Sequence, residues 1–197
     1  MGLFRKLFSA RRAVANAMEE QEKRLSALAA LPCEDLARQD DATLCEVLSF
    51  LNDRSANALF GPPHKRKQSL ADCYAGLTEP ARTYALVDLF ALYMETDGLC
   101  DVLTSDLRLY AGELPGLLRT VGADRHADLL TAFFGDHNID PREMSSFLIR
   151  NDPEHDYAAQ ELRFPYADFN RAYAKLPPLP SCLAAYGRSH LAGFRPE

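Results

Sequence analysis

Apolar residues recur every three or four positions along most of this chain, and no convincing stretch alternates them one by one. The first spacing keeps side chains on one face of a helix, whereas a half-buried strand needs a period of two. Phe4, Leu7, Phe8, Val14, Met18, Leu25 and Leu28 step by three, four and seven, which predicts a first helix over about residues 3–30, stopped before Pro32. Its apolar stripe is thin in the middle, so it needs the body of the protein or a second subunit to dock on. A second helix opens at Asp41, turns Leu44, Val47, Leu48 and Leu51 inward, and stops at Gly61-Pro62-Pro63, which cannot continue it.

The same grammar runs on. Residues 69–77 hold one or two turns of helix, and Thr78 caps the next with Pro80 in its first turn. Leu86, Leu89, Phe90, Tyr93 and Met94 give that helix one apolar face, and Gly98 closes it by accepting a left-handed turn. A compact apolar knot of Leu99, Cys100, Val102 and Leu103 follows, then a polar connection and a helix from about Glu113 that Gly122 terminates. Another helix covers 124–134 and ends at Gly135, and Asp140-Pro141-Arg142-Glu143 reads as a further start, with Asp140 accepting from the amide of Glu143. Residues 151–165 read as a polar loop before two closing helices marked by Tyr166, Phe169 and Tyr173 and by Leu183, Tyr186 and Leu191. The expectation is an all-α protein: a single-domain irregular bundle of eight to ten helices over residues 32–197, preceded by an extended amphipathic helix over 1–31.

Charge is distributed unevenly on this scaffold. Residues 81–145 carry 11 acids against 5 bases, while the segments on either side are balanced, so this stretch accounts for the whole net charge of −6. Such a balance argues against direct nucleic-acid binding, which needs clustered Lys and Arg. The one basic run, His64-Lys65-Arg66-Lys67, is short and reads as a solvated loop. Clustered carboxylates without a catalytic companion point to a surface that meets a cationic protein. Glu95, Asp97, Asp101, Asp106 and Glu113 surround the Gly98 turn and the connection after it, and are the expected partner-binding residues, with Gly98 and Gly122 as structural turns.

Chemistry is hard to find elsewhere. The five histidines never pair at the spacing that puts two imidazoles on one helical face for zinc. Asp136-His137-Asn138-Ile139-Asp140 begins like a calcium loop, but Pro141 stands where glycine must turn and Phe147 where the bidentate Glu belongs. No nucleophile elbow or phosphate-binding glycine loop is present. No catalytic residue, metal ligand or cofactor is assigned, and the sequence points away from an enzyme. Five scattered cysteines without a CxxC fit free thiols in a reducing cytoplasm, and no apolar run reaches membrane-spanning length.

The run from Leu86-Val87-Asp88-Leu89-Phe90 through Met94-Glu95-Thr96-Asp97-Gly98-Leu99, then Glu113 to Leu118 and Thr120-Val121-Gly122-Ala123, resembles the helical domain of bacterial DNA-mimic-like proteins. In that family a helix ends in an Asn-Gly-Gly-aromatic turn, and a later one ends in Ile/Val-Gly-Ala. Tyr166 to Phe194 resembles the family's closing helix pair, so the likeness covers about residues 70–194. Here the turn has one glycine fewer and leucine in place of the aromatic, and Asp101-Val102-Leu103 replaces a Gln-aromatic-aromatic knot. The resemblance implies an acidic all-helical protein, commonly dimeric, whose carboxylates stand in for phosphates before a basic partner.

The expected function is therefore non-enzymatic: a regulatory protein that binds a basic protein, such as a DNA-binding protein or a toxin-like target, through an acidic helical surface. Two other classes compete with it. A carboxylate-based metal hydrolase requires several acids to converge on one pocket. A membrane-peripheral adaptor would rest Phe4, Leu7 and Phe8, flanked by Arg5, Lys6, Arg11 and Arg12, on an anionic bilayer.

Overall fold

The computed structural model describes residues 2–61, 70–143 and 159–195, with side chains described from Asn16 in the first helix and from Asp72 in the fourth. Within them the protein is helical, without a strand. In chain order the helices are α1 (Gly2–Ala29), α2 (Cys33–Ala37), α3 (Asp41–Phe60), α4 (Leu70–Ala75), α5 (Glu79–Thr96) and α6 (Leu99–Thr104). A 3-10 turn (Asp106–Tyr110) leads to α7 (Leu114–Thr120), α8 (Asp124–Asp136), α9 (Tyr166–Tyr173) and α10 (Leu179–His190), and a second 3-10 turn (Leu191–Phe194) follows.

The ends of these elements have local causes. Asp40 caps α3 by accepting from Thr43 N at 3.0 Å, which holds its carboxyl below the usual range. Thr78 caps α5 by accepting from Ala81 N at 3.4 Å, with Pro80 in the first turn. Gly61, Gly98 and Gly122 take φ of 76°, 81° and 80° at the ends of α3, α5 and α7, a region closed to most side chains.

α5 is the central helix. It buries Ala81, Thr83, Tyr84, Leu86, Val87, Phe90, Ala91 and Met94 against α3, α4, α6, α7 and α10. α3 lays Leu44, Val47 and Leu48 against α10, and the approach is so close that a Cβ on Gly187 would stand 2.2 Å from Leu48 Cδ1. Arg188 locks the same contact from outside. Its Nε donates to Ala37 O at 3.1 Å and its Nη2 to Gln39 O at 2.8 Å, while Nη1 meets Asp41 at 2.7 Å. α8 and α9 join through aromatic edges. Phe133 contacts Phe169 with centroids 5.3 Å apart, and His126 meets Tyr173 at 5.3 Å.

Several expectations are corrected. α2 was not foreseen: Pro32 starts it by fixing its own φ near −53°, so the residue that ends one helix opens another. The connection after α6 is a 3-10 turn that buries Leu107 and Tyr110. α8 ends at Asp136, one residue past the expected stop at Gly135. Asp140 accepts from Glu143 N at 3.1 Å through its backbone carbonyl, while its carboxylate accepts from Arg142 N at 2.9 Å. The helix expected to follow lies outside the described residues, as do the basic run at 64–67 and most of the 151–165 loop. That loop's far end is helical at 159–161 and buries Gln160 completely.

Candidate functional site

The five acids expected to meet a partner divide into two groups. Glu113 accepts from Arg82 Nη2 at 2.7 Å, and the same guanidinium lies over the Tyr110 ring at 5.5 Å. Asp106 stands 3.6 Å from Arg108 Nη1, although that nitrogen also donates to Ser105 O at 2.8 Å. Part of the segment's negative charge is thus answered by its own arginines, as it is again where Arg119 meets Asp128 at 2.7 Å.

Glu95, Asp97 and Asp101 form the second group, and no described cation pairs with them. Glu95 and Asp97 are exposed at the C-terminal end of α5, where the helix's free carbonyls add negative potential. Asp101 is half-buried in the first turn of α6. Burial raises its carboxyl above the usual range, and the charge of Asp97 adds to the rise. The turn between them is rigid. Gly98 N donates to Tyr93 O at 2.8 Å, and Leu99 N donates to Asn170 Oδ1 at 3.1 Å, which pins α9 to the turn. Gly98 therefore ends α5 and caps α6 at once.

A cleft of about 300 Å³ opens between α3, α4 and α5. Ser49, Asn52, Asp53 and Ala56 line it from one face of α3, as their spacing of three and four requires. Ala85, Asp88, Leu89 and Leu92 line it from α5, while Cys73, Tyr74 and Leu77 close the third side. Ser49 Oγ donates to Asp88 Oδ2 at 2.8 Å. Burial pushes the Asp88 carboxyl above the usual range; the Ser49 hydrogen bond opposes this and the charges of Asp53 and Glu95 reinforce it. Burial, with the neighbouring tyrosines and the Asp53 and Asp88 charges, also lifts the Tyr74 phenol to about 12, so it stays protonated at neutral pH.

Asn52 is 7% exposed; its Nδ2 donates to Ala81 O at 3.2 Å, and its Oδ1 accepts from no donor among the described residues. Reversing the amide would set two carbonyl oxygens against each other, so Ala81 fixes which atom remains available.

Sequence reasoning counted Asp88 among the acids but passed over Ser49, Asn52 and Asp53. The signal was present: Asp88 interrupts Leu86-Val87-Asp88-Leu89-Phe90, and the three polar residues of α3 share one face. What the sequence lacks is the pairing of those faces, which depends on how α3 and α5 cross.

The five cysteines are free, with Cys73 and Cys100 buried. Burial, aided by the Glu161 and Asp101 charges, lifts the Cys100 thiol to about 11, which keeps it unreactive. Among the described residues no three His, Cys, Asp or Glu side chains stand close enough to share a metal ion. No described helix is long and apolar enough to cross a membrane. Compared with protein-family models, curated proteins and solved structures, the chain gives no significant match.

Proposed function

We propose that this chain is a non-enzymatic interaction protein that captures a basic protein partner through the carboxylates around the Gly98 turn. The observation that carries this reading is the trio Glu95, Asp97 and Asp101, held at fixed spacing with no described cation beside it. Asp97 and Asp101 repel each other, and Asp97 opposes the dipole of α5, so an arriving Lys or Arg relieves unfavourable terms already present. Asp106 and Glu113 extend the surface but give up part of their charge to Arg108 and Arg82. The metal-hydrolase alternative requires a convergence of ligands that the described residues do not supply.

The finer points belong to the same reading. The body is one irregular bundle, with α1 as an extended N-terminal helix docked beside it, working in the cytoplasm. Membership of the DNA-mimic-like family, and the dimer it implies, rest on the residues around Gly98 and Gly122. A net charge of −6 is modest beside duplex DNA, which carries about one charge per 1.7 Å, so a regulatory or immunity-type inhibitor of a basic protein fits better than full imitation of a duplex.

Charge reversal tests the proposal. The triple variant Glu95→Lys, Asp97→Lys, Asp101→Lys should lose partner capture from a native-host lysate, read by mass spectrometry, while melting cooperatively. Glu113→Lys alone should weaken capture less. Capture of the same proteins by parent and triple variant would overturn the reading.

A further inference from the structure

We infer that the cleft between α3 and α5 is a binding site for a primary alkylammonium group, with Asp88, Asn52 and Ser49 receiving the head and Leu77, Leu89 and Leu92 receiving the stem. This deepens the proposed function by naming the cationic group this part of the protein accepts, and it rests on that reading only for the origin of the ligand.

The polar atoms that α3 and α5 leave over in the cleft are acceptors, while the Tyr74 hydroxyl on the third side keeps its proton. Asp88 uses Oδ2 on Ser49, which leaves Oδ1; Asn52 uses its amide nitrogen on Ala81, which leaves Oδ1. Ser49 spends its proton on Asp88 and keeps lone pairs on Oγ. An ammonium carries three donors and no acceptor, which matches three acceptors on two facing helices. A neutral alcohol brings one donor and leaves the carboxylate uncompensated.

The buried orphan oxygen of Asn52 is independent of the charge argument. An unpaired amide oxygen in a protein interior is unfavourable, and a ligand that donates to it removes that penalty. The walls give the head an apolar neighbourhood: Ala56, Leu77, Ala85, Leu89 and Leu92 line the same space, with Leu92 55% exposed at the rim. A straight alkyl chain leaving along Leu89 and Leu92 would take its methylenes out of water. Asp88 and Glu95 lie two turns apart on α5, about 10 Å along the axis, so the exit leads towards the acidic turn.

The experiment is an amide-shift NMR titration of the full chain at pH 7.5 with n-butylamine, n-butanol at equal concentration, and N-acetyl-lysine-methylamide. Saturable shifts confined to residues 49–56, 73–77 and 85–92 with butylamine, and none with butanol, are expected. Asp88→Asn should weaken binding at least tenfold, with its fold checked by melting, and Ser49→Ala should weaken it several-fold. Tighter binding of the lysine derivative than of butylamine would identify a protein lysine as the source, and the reverse order a free aliphatic amine. Equal shifts with butanol, no saturable shift with either amine, or full binding by Asp88→Asn would overturn the inference. The charge-reversed triple variant, run in parallel, separates the two ideas: it should keep amine binding if only the partner-capture reading fails.

Discussion

Asp88 is a carboxylate placed where the fold would be better without its charge. A carboxyl raised above its unfolded value binds more protons in the folded state, so stability falls as pH climbs from about 4 through the folded value. At neutral pH the group therefore works against folding. Asp88→Asn keeps the shape and an oxygen for Ser49, and it should melt at a higher temperature than the parent at pH 7. The gap should close below about pH 4, where the Asp88 carboxyl is protonated in the folded and the unfolded state alike. Equal melting temperatures at pH 7 would show that Asp88 carries no such penalty. Gly98 is the opposite case, a residue the fold cannot change. Its φ of 81° disfavours any side chain, and a Cβ there would lie 2.1 Å from Asn170 Nδ2. Gly98→Ala should cost about 2–3 kcal/mol in urea unfolding, from the left-handed backbone and the displaced Asn170. Asn170→Ala should cost about 1 kcal/mol, since only the bond to Leu99 N is lost.

Among the elements, the α3–α10 pair leaves little tolerance. Leu48 is fully buried and fills the place where Gly187 has no side chain. Gly187→Ala should destabilise by about 1–3 kcal/mol despite its better helix propensity, because a methyl must be forced into packed volume. A gain in thermal stability would mean that Leu48 has room to swing aside. Elements of this kind were well forecast where local chemistry decides them. Asp41, Thr78 and the glycines at 61, 98 and 122 mark boundaries that the structure keeps within a residue or two. The forecast failed where tertiary contact decides. Pro32 starts α2 as well as ending α1, and the 3-10 turn after α6 exists because Leu107 and Tyr110 have a core to enter.

For the molecule as a whole, the charge pattern of the sequence survives folding in altered form. Arg82 and Arg108 stand close to Glu113 and Asp106, so five expected partner-binding acids become a core of three with two partly compensated neighbours. Sequence order could not reveal this, since Arg82 and Glu113 are far apart in the chain and meet only when α5 packs against α7. The cleft was hidden for the same reason: its acceptors come from two helices that no local pattern pairs. The union of α3 with α10 also shapes the birth of the protein. Leu48 emerges from the ribosome well before Gly187, and at about 5–20 residues per second its neighbour arrives on the order of ten seconds later. For that interval Leu44, Val47 and Leu48 belong to a nascent chain in which the face that will cover them has not yet been made.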